Sequence, residues 1–118
     1  MRPRDAVSIS NEYLTYLLDQ LRGVGPVSAR KMFGGAGIYL RGVMFGLVAD
    51  DVFYLKTGDS NRADYERAGM EKFKPWDDKP MTMPYHEVPA EILEDRDALT
   101  AWAQKSLAAA EKTKRKKK

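Results

Sequence analysis

The 118-residue chain has no cysteine, a single histidine and no apolar run long enough to cross a bilayer. The absence of cysteine excludes disulfides and thiol chemistry. A lone histidine has no cysteine or second imidazole with which to share a metal ion, so no metal site is predicted. Because the first ten residues also lack the apolar segment of a signal peptide, we expect a cytoplasmic protein with no membrane partner.

Positive charge is concentrated at the C-terminal end of the chain. The net charge is +3, and the last seven residues alone carry six cations, so residues 1–111 are net negative. A run of like charges is expected to be disordered, which predicts a single domain over 1–111 and a basic tail over 112–118. A nucleic-acid contact would then come from the tail cations, which are Lys112, Lys114, Arg115, Lys116, Lys117 and Lys118.

Helical spacing of apolar residues predicts a first helix that ends at Gly23. After a break at Gly25 and Pro26, we predict a short second helix that Ser28 caps and that ends at Gly34 and Gly35. A helix after Asp59 or Ser60, a further turn of helix that begins at Pro89, and a longer terminal helix that carries Trp102 complete the helical elements.

Residues 37–58 are rich in branched and aromatic residues and predict three antiparallel strands. Arg41–Gly42 and Asp50–Asp51 are the predicted two-residue turns between them. Two shorter extended segments, around 70–76 and 81–88, add two further strands. The order α-β3-α-β2-α, with hairpins as the short connections, predicts an α+β fold with a two-layer, five-stranded antiparallel sheet.

Tight turns would fix which residues share a face of this sheet. They place Leu40 opposite Val43, Ile38 opposite Phe45, Leu47 opposite Tyr54 and Ala49 opposite Val52. We predict that the helices pack on the face that holds Ile38, Leu40, Val43, Phe45 and Leu47. The other apolar face is then the candidate partner surface, formed by Tyr39, Met44, Val48 and Phe53, unless residues 73–81 fold over it.

The glycines at 34, 35 and 37 raise the question of a phosphate-binding loop. Such a loop follows a strand and opens a helix, whereas the predicted order here is helix and then strand, so we interpret these glycines as structural. His86 is expected at the surface or half-buried, and the adjacent carboxylates Asp50–Asp51 and Asp77–Asp78 fall in turns. No catalytic residue and no cofactor are predicted.

The sequence ARKMFGGAGIYLRGVMFGLVADDVFYLKTG, followed by FKPW, MTMPYHEVP and a terminal helix with Trp102, resembles the TfoX N-terminal domain family. The resemblance covers about residues 10 to 110. It implies a secretion-chaperone-like α+β fold, a role in regulating competence-gene transcription together with a cyclic-AMP-responsive activator, and no catalytic residue or cofactor. Regulators of this type continue into a second domain, whereas this chain ends in KRKKK shortly after the first.

Two functions remain as hypotheses. The first is a non-enzymatic regulatory or adaptor domain that binds a protein partner, either transcription machinery or a second copy of itself. The alternative is a small nucleic-acid-associated protein that binds without sequence preference through its lysine-rich tail.

Overall fold

The computed structural model of the protein describes residues 11–32, 35–73 and 83–116. A helix and a short 3-10 turn precede four consecutive strands, after which helices alternate with one further strand. In chain order the elements are α1 (Asn11–Gln20), the 3-10 turn (Arg22–Val24), β1 (Val27–Met32), β2 (Gly35–Leu40), β3 (Val43–Ala49), β4 (Val52–Lys56), α2 (Arg62–Arg67), β5 (Tyr85–Glu87), α3 (Ala90–Leu93) and α4 (Arg96–Lys116).

The five strands form one antiparallel sheet in the order β1-β2-β3-β4-β5. Each strand therefore pairs with its neighbour in sequence, and β1 and β5 are the edges. This arrangement confirms the predicted α+β class with a five-stranded antiparallel sheet. No helix in the described ranges is long and apolar enough to span a membrane.

Two of the predicted elements are wrong. Residues 27–32 form β1, where the sequence predicts a short helix, because all six pair with β2 from Val27 opposite Leu40 to Met32 opposite Gly35. Long-range pairing here overrides the local helical preference. The extended segment predicted at 70–76 is reduced to a single antiparallel bridge between Lys72 and His86, and residues 74–76 lie outside the described residues.

Both predicted hairpin turns are confirmed. Arg41 and Gly42 have φ angles of 50° and 81°, and Asp50 and Asp51 have φ angles of 54° and 58°. Two successive positive φ values define the turn type whose twist matches that of paired strands. The predicted pairs nearest the turns, Leu40 with Val43 and Ala49 with Val52, are also observed, as is Leu47 with Tyr54.

A β-bulge in β3 changes the assignment of residues to the two faces. Tyr39 pairs with Met44 but Ile38 pairs with Gly46, so Phe45 is an extra residue and the predicted pair of Ile38 with Phe45 is wrong. Beyond the bulge the alternation of β3 is shifted by one residue. Leu47 then lies on the face opposite to the one predicted, and Val48 joins the core.

The helices share a single core with one face of the sheet. Leu17 and Leu21 of the N-terminal segment, Tyr65 of α2 and Leu99 and Ala103 of α4 belong to the same buried cluster as the sheet residues. Those sheet residues are Ile38, Leu40, Phe45, Val48, Phe53 and Leu55. All the described helices that enter the core therefore lie on this side, which we call the helix-packed face.

Helix α4 continues to Lys116, so residues 112–116 are helical where the sequence analysis expects disorder. Alanines at 108–110 favour a helix. Lys117 and Lys118 lie outside the described residues. The division into a domain over 1–111 and a tail over 112–118 stays a prediction.

Candidate functional site

The candidate site is the sheet face opposite the helices, here called the open face. The strand registers assign to it residues from all five strands. Its larger side chains are Arg30, Tyr39, Met44, Leu47, Tyr54, Lys56, Tyr85 and Glu87. Tyr39, Met44 and Tyr54 are half-buried, and Leu47 and Tyr85 are buried at 8% and 6% exposure.

Aromatic rings on the open face are paired with cations or with one another. The Arg30 guanidinium lies 5.7 Å from the centroid of the Tyr39 ring, and the Lys56 ammonium lies 5.4 Å from that of Tyr85. Both distances are within the range of cation–π attraction. Such pairs hold the rings in place while each cation keeps part of its hydration.

Tyr54 and Tyr85 of the open face are protonated at neutral pH and can donate hydrogen bonds. Burial raises the pKa of Tyr54 and of Tyr85 above the usual value for a phenol. The carboxylate of Glu87 adds to the effect on the pKa of Tyr54, and Tyr39 adds to that on Tyr85. The face therefore combines apolar rings with protonated hydroxyls, a composition typical of protein interfaces.

Phe73 extends the open face beyond the strands. Its ring lies 4.8 Å from that of Tyr54, and its backbone N–H donates a 2.8 Å hydrogen bond to the carbonyl oxygen of Tyr85. The Met83 N–H in turn donates to the Phe73 carbonyl at 3.0 Å. Residues 73–81 are the segment that could fold over the open face. Phe73 contacts this face, and residues 74–81 lie outside the described residues.

The structure separates the four residues predicted to form a partner face. Tyr39 and Met44 pair with each other on the open face. Val48 and Phe53 pair with each other on the helix-packed face, where they are 1% and 2% exposed. The bulge at Phe45 is the physical reason, since it reverses the faces for the rest of β3 and for β4.

The predicted tail contacts lie at the end of α4. Lys112 is exposed, and Lys114, Arg115 and Lys116 form the last turn of the helix. Lys117 and Lys118 lie outside the described residues.

The described glycines of the glycine-rich stretch belong to strand β2. Gly35 begins β2 and Gly37 lies within it, whereas a phosphate loop opens a helix with free N–H groups. The helix predicted before these glycines is absent because β1 occupies that position. The structural interpretation still applies to Gly35, because a Cβ atom built on it would lie 2.1 Å from the carbonyl oxygen of Val48.

His86 is buried at 3% exposure, so the expectation of a surface or half-buried histidine is wrong. It lies on the helix-packed side, where its Nδ1 is 2.9 Å from the hydroxyl of Thr57 and its ring is 5.4 Å from that of Tyr65. No group of three metal-ligating side chains occurs among the described residues. The pair of His86 with Thr57 holds β5 to the end of β4 beneath the helices.

Burial of His86 predicts a loss of stability in mild acid. Burial lowers the pKa of His86 below its usual 6.5, and the cations Lys72 and Arg62 lower it further, against the opposing effect of Glu66. Between the folded-state pKa and 6.5 the unfolded chain binds more protons, so the free energy of unfolding falls as the pH drops below about 6.5. Urea midpoints at pH 7.5 and pH 5 should show this fall, and His86→Gln should reduce it. An equal fall in the variant would assign the pH dependence to other groups.

Comparison with known sequences confirms the family resemblance. The family model of the TfoX N-terminal domain matches residues 19–110, and the chain belongs to this family. A stretch of 54 residues is 37% identical to the DNA transformation protein TfoX1 of Aliivibrio fischeri (strain ATCC 700601 / ES114). The match covers 46% of this chain and 26% of that relative, so the chain spans about a quarter of the relative's length.

Proposed function

We propose that this domain is a non-enzymatic adaptor that regulates a process related to DNA transformation by binding a protein partner on the open face. The observation that carries the proposal is the one-sided packing of the sheet, with the described helices on one face and aromatic and methionine side chains on the other. Family membership and the name of the relative suggest the process.

The composition of the open face favours a protein partner. Tyrosine, phenylalanine, methionine and arginine are the residues that protein interfaces use most, and here Tyr39, Met44, Arg30 and Phe73 lie on or beside one surface. Transcription machinery and a second copy of the chain are the two partner classes that we consider. We also propose that the domain acts in transcriptional control and that it is located in the cytoplasm.

The proposal of a non-enzymatic role rests on where the one histidine lies. His86 is on the helix-packed face, its Nδ1 is engaged by Thr57, and its ring packs against Tyr65. The imidazole is therefore engaged with core groups, on the side of the sheet opposite the proposed interface. For this reason we assign His86 a structural role.

The test is capture of partners from the native host by the full chain and by two tyrosine variants. Tyr39→Ser removes a ring from the open face, and Tyr16→Ser removes a tyrosine that is 41% exposed on α1 and serves as the matched control. We expect the control to retain the captured proteins and Tyr39→Ser to lose them. Analytical ultracentrifugation of the same variants detects self-association. Equal capture and equal oligomeric state for both variants would contradict the proposal.

A second function, non-specific nucleic-acid binding, is favoured by the extent of α4. The helix continues into the basic segment and carries Lys112, Lys114, Arg115 and Lys116 as an extension of an ordered element. Lysines contact phosphates as point charges, so this extension would bind without reading sequence.

Binding through the tail would depend steeply on salt. Six phosphate contacts give a slope of log affinity against log salt of up to about −5 on duplex DNA. Deletion of residues 112–118 should abolish binding because residues 1–111 are net negative. Gel shifts at two salt concentrations measure both effects, with a control in which the six cations are replaced by glutamine at constant length. Equal binding by full and truncated chains would place the anion site on the folded domain, and no binding by either would exclude this second function.

A further inference from the structure

The two edge strands of the sheet differ in whether another segment of the chain lies beside their outward-facing backbone groups. The β5 edge is accompanied by residues 71–73, since Glu87 N–H donates to the Glu71 carbonyl oxygen at 3.1 Å and Phe73 N–H donates to that of Tyr85 at 2.8 Å. The β1 edge has no neighbouring strand within the described parts of the chain. An edge strand presents alternate N–H and C=O groups outward, so β1 offers a six-residue pairing surface.

The charges along this edge have one sign. Arg30 and Lys31 are exposed, and β1 and β2 contain no acidic residue. Neither cation forms an ion pair within the described residues, although Arg30 contacts the Tyr39 ring. The body of the chain is net negative, so this cationic edge is a local exception to the overall charge.

A second copy of the chain is a poor partner for this edge. Antiparallel pairing of two β1 strands would bring Arg30 and Lys31 of one copy close to the same cations of the other. Like charges on paired strands destabilise the pair, and lysine on an edge strand is a known protection against self-association. An extended segment with acidic residues would instead place opposite charges across the new strand pair.

A groove with mixed walls lies at the start of β1. Its volume is about 420 Å³, and its walls combine the apolar Leu18, Pro26 and Val27 with Thr15 and the ion pair of Asp19 with Arg22. Val27 pairs with Leu40 on the helix-packed side of the sheet. A side chain next to Val27 in an added strand, directed to that side, would therefore face the groove.

We propose that β1 binds an extended acidic segment of a partner protein by strand addition, with carboxylates near Arg30 and Lys31 and an apolar side chain in the groove. This is the mode in which backbone hydrogen bonds supply affinity and alternate side chains supply specificity. The surface is the sheet edge and shares Arg30 with the open face, whereas Lys31 pairs with Ala36 and lies on the helix-packed side, so a change at Lys31 alone tests the edge separately.

The test uses a fluorescein-labelled peptide of valine and threonine around a central pair of glutamates. Its fluorescence anisotropy should rise on adding the full chain. The double variant Arg30→Glu, Lys31→Glu should weaken binding by about tenfold or more and should gain binding to the same peptide with lysines in place of glutamates. The matched control is Lys72→Glu, Lys112→Glu, which makes the same charge change at two exposed positions away from β1 and should retain binding to the acidic peptide.

A second peptide separates strand addition from simple charge attraction. Proline at every other position keeps the glutamates but removes the backbone donors and the extended pairing geometry. This peptide should not bind, and amide hydrogen exchange of alternate β1 residues should slow only with the unmodified peptide. Equal binding of both peptides, no binding of the unmodified peptide, or slowed exchange confined to the open face would overturn the proposal. Lys31→Glu alone, on the helix-packed side of the edge, should weaken binding of the acidic peptide and leave partner capture by the open face intact, which keeps the two outcomes apart.

Discussion

Replacement of Val48 by glutamate should leave the domain largely unfolded. Val48 is 1% exposed, pairs with Ala36 and Phe53 on the helix-packed face and belongs to the main core cluster. A carboxylate there has no cation among the residues it pairs with, and its burial costs several kcal/mol in charged or neutralised form. Since a domain of this size is stable by only about 5–15 kcal/mol, this single change removes much of the margin.

Met44→Glu is the matched control for this prediction. Met44 lies in the same strand, four residues earlier, but it is half-buried and pairs with Tyr39 on the open face. Its variant should keep a cooperative thermal transition by circular dichroism, whereas Val48→Glu should show little or none at 25 °C. Loss of folding in both variants would mean that the open face is also part of the core. A cooperative transition in both variants would contradict the burial of Val48 in the core.

The difference between these two positions could not be read from the sequence. A tight turn fixes the register of its own hairpin, so the pairs next to each turn, such as Leu40 with Val43, are predictable. Strict alternation then assigns Met44 and Val48 to the same face. The bulge at Phe45 breaks the alternation, and its one sequence signal is the glycine that follows it. At Gly46 a Cβ atom would lie 2.7 Å from the ring of Phe53, which explains the missing side chain.

The other missed features depend on long-range pairing. The segment that forms β1 reads as a helix because a local pattern cannot show that β2 is available beside it. The β1 edge and the groove at Val27 were therefore not predictable. Tyr39 and Met44 were predictable because they lie beside the first turn, whereas Leu47 and Tyr54 required knowledge of the bulge. The burial of His86 also follows from its place opposite Leu55 in the completed sheet.

Gly35→Ala should produce the largest loss of stability expected from adding a single methyl group. The added Cβ atom would lie 2.1 Å from the Val48 carbonyl oxygen and 3.3 Å from the Val48 carbonyl carbon. These are backbone atoms, so no rotation of a side chain can relieve the contact and β2 must move away from β3. Overpacking of this kind typically costs about 1–3 kcal/mol, and the fixed backbone places Gly35→Ala at about 3 kcal/mol.

Gly42→Asn provides the control, because it also replaces a glycine but creates no clash. A Cβ atom on Gly42 would have no heavy atom within 4 Å, and asparagine tolerates the φ angle of 81°. Urea unfolding should therefore give a loss of about 1 kcal/mol or less for Gly42→Asn, because the positive φ angle still disfavours a side chain, and a much larger loss for Gly35→Ala. Because the reason is steric and no phosphate is involved, ATP, GTP or NAD should leave the melting temperature of the unmodified chain unchanged. Equal midpoints for the two variants would show that β2 and β3 can separate at Gly35 at little cost. A shift in melting temperature on adding a nucleotide would instead indicate that the glycine stretch binds a ligand.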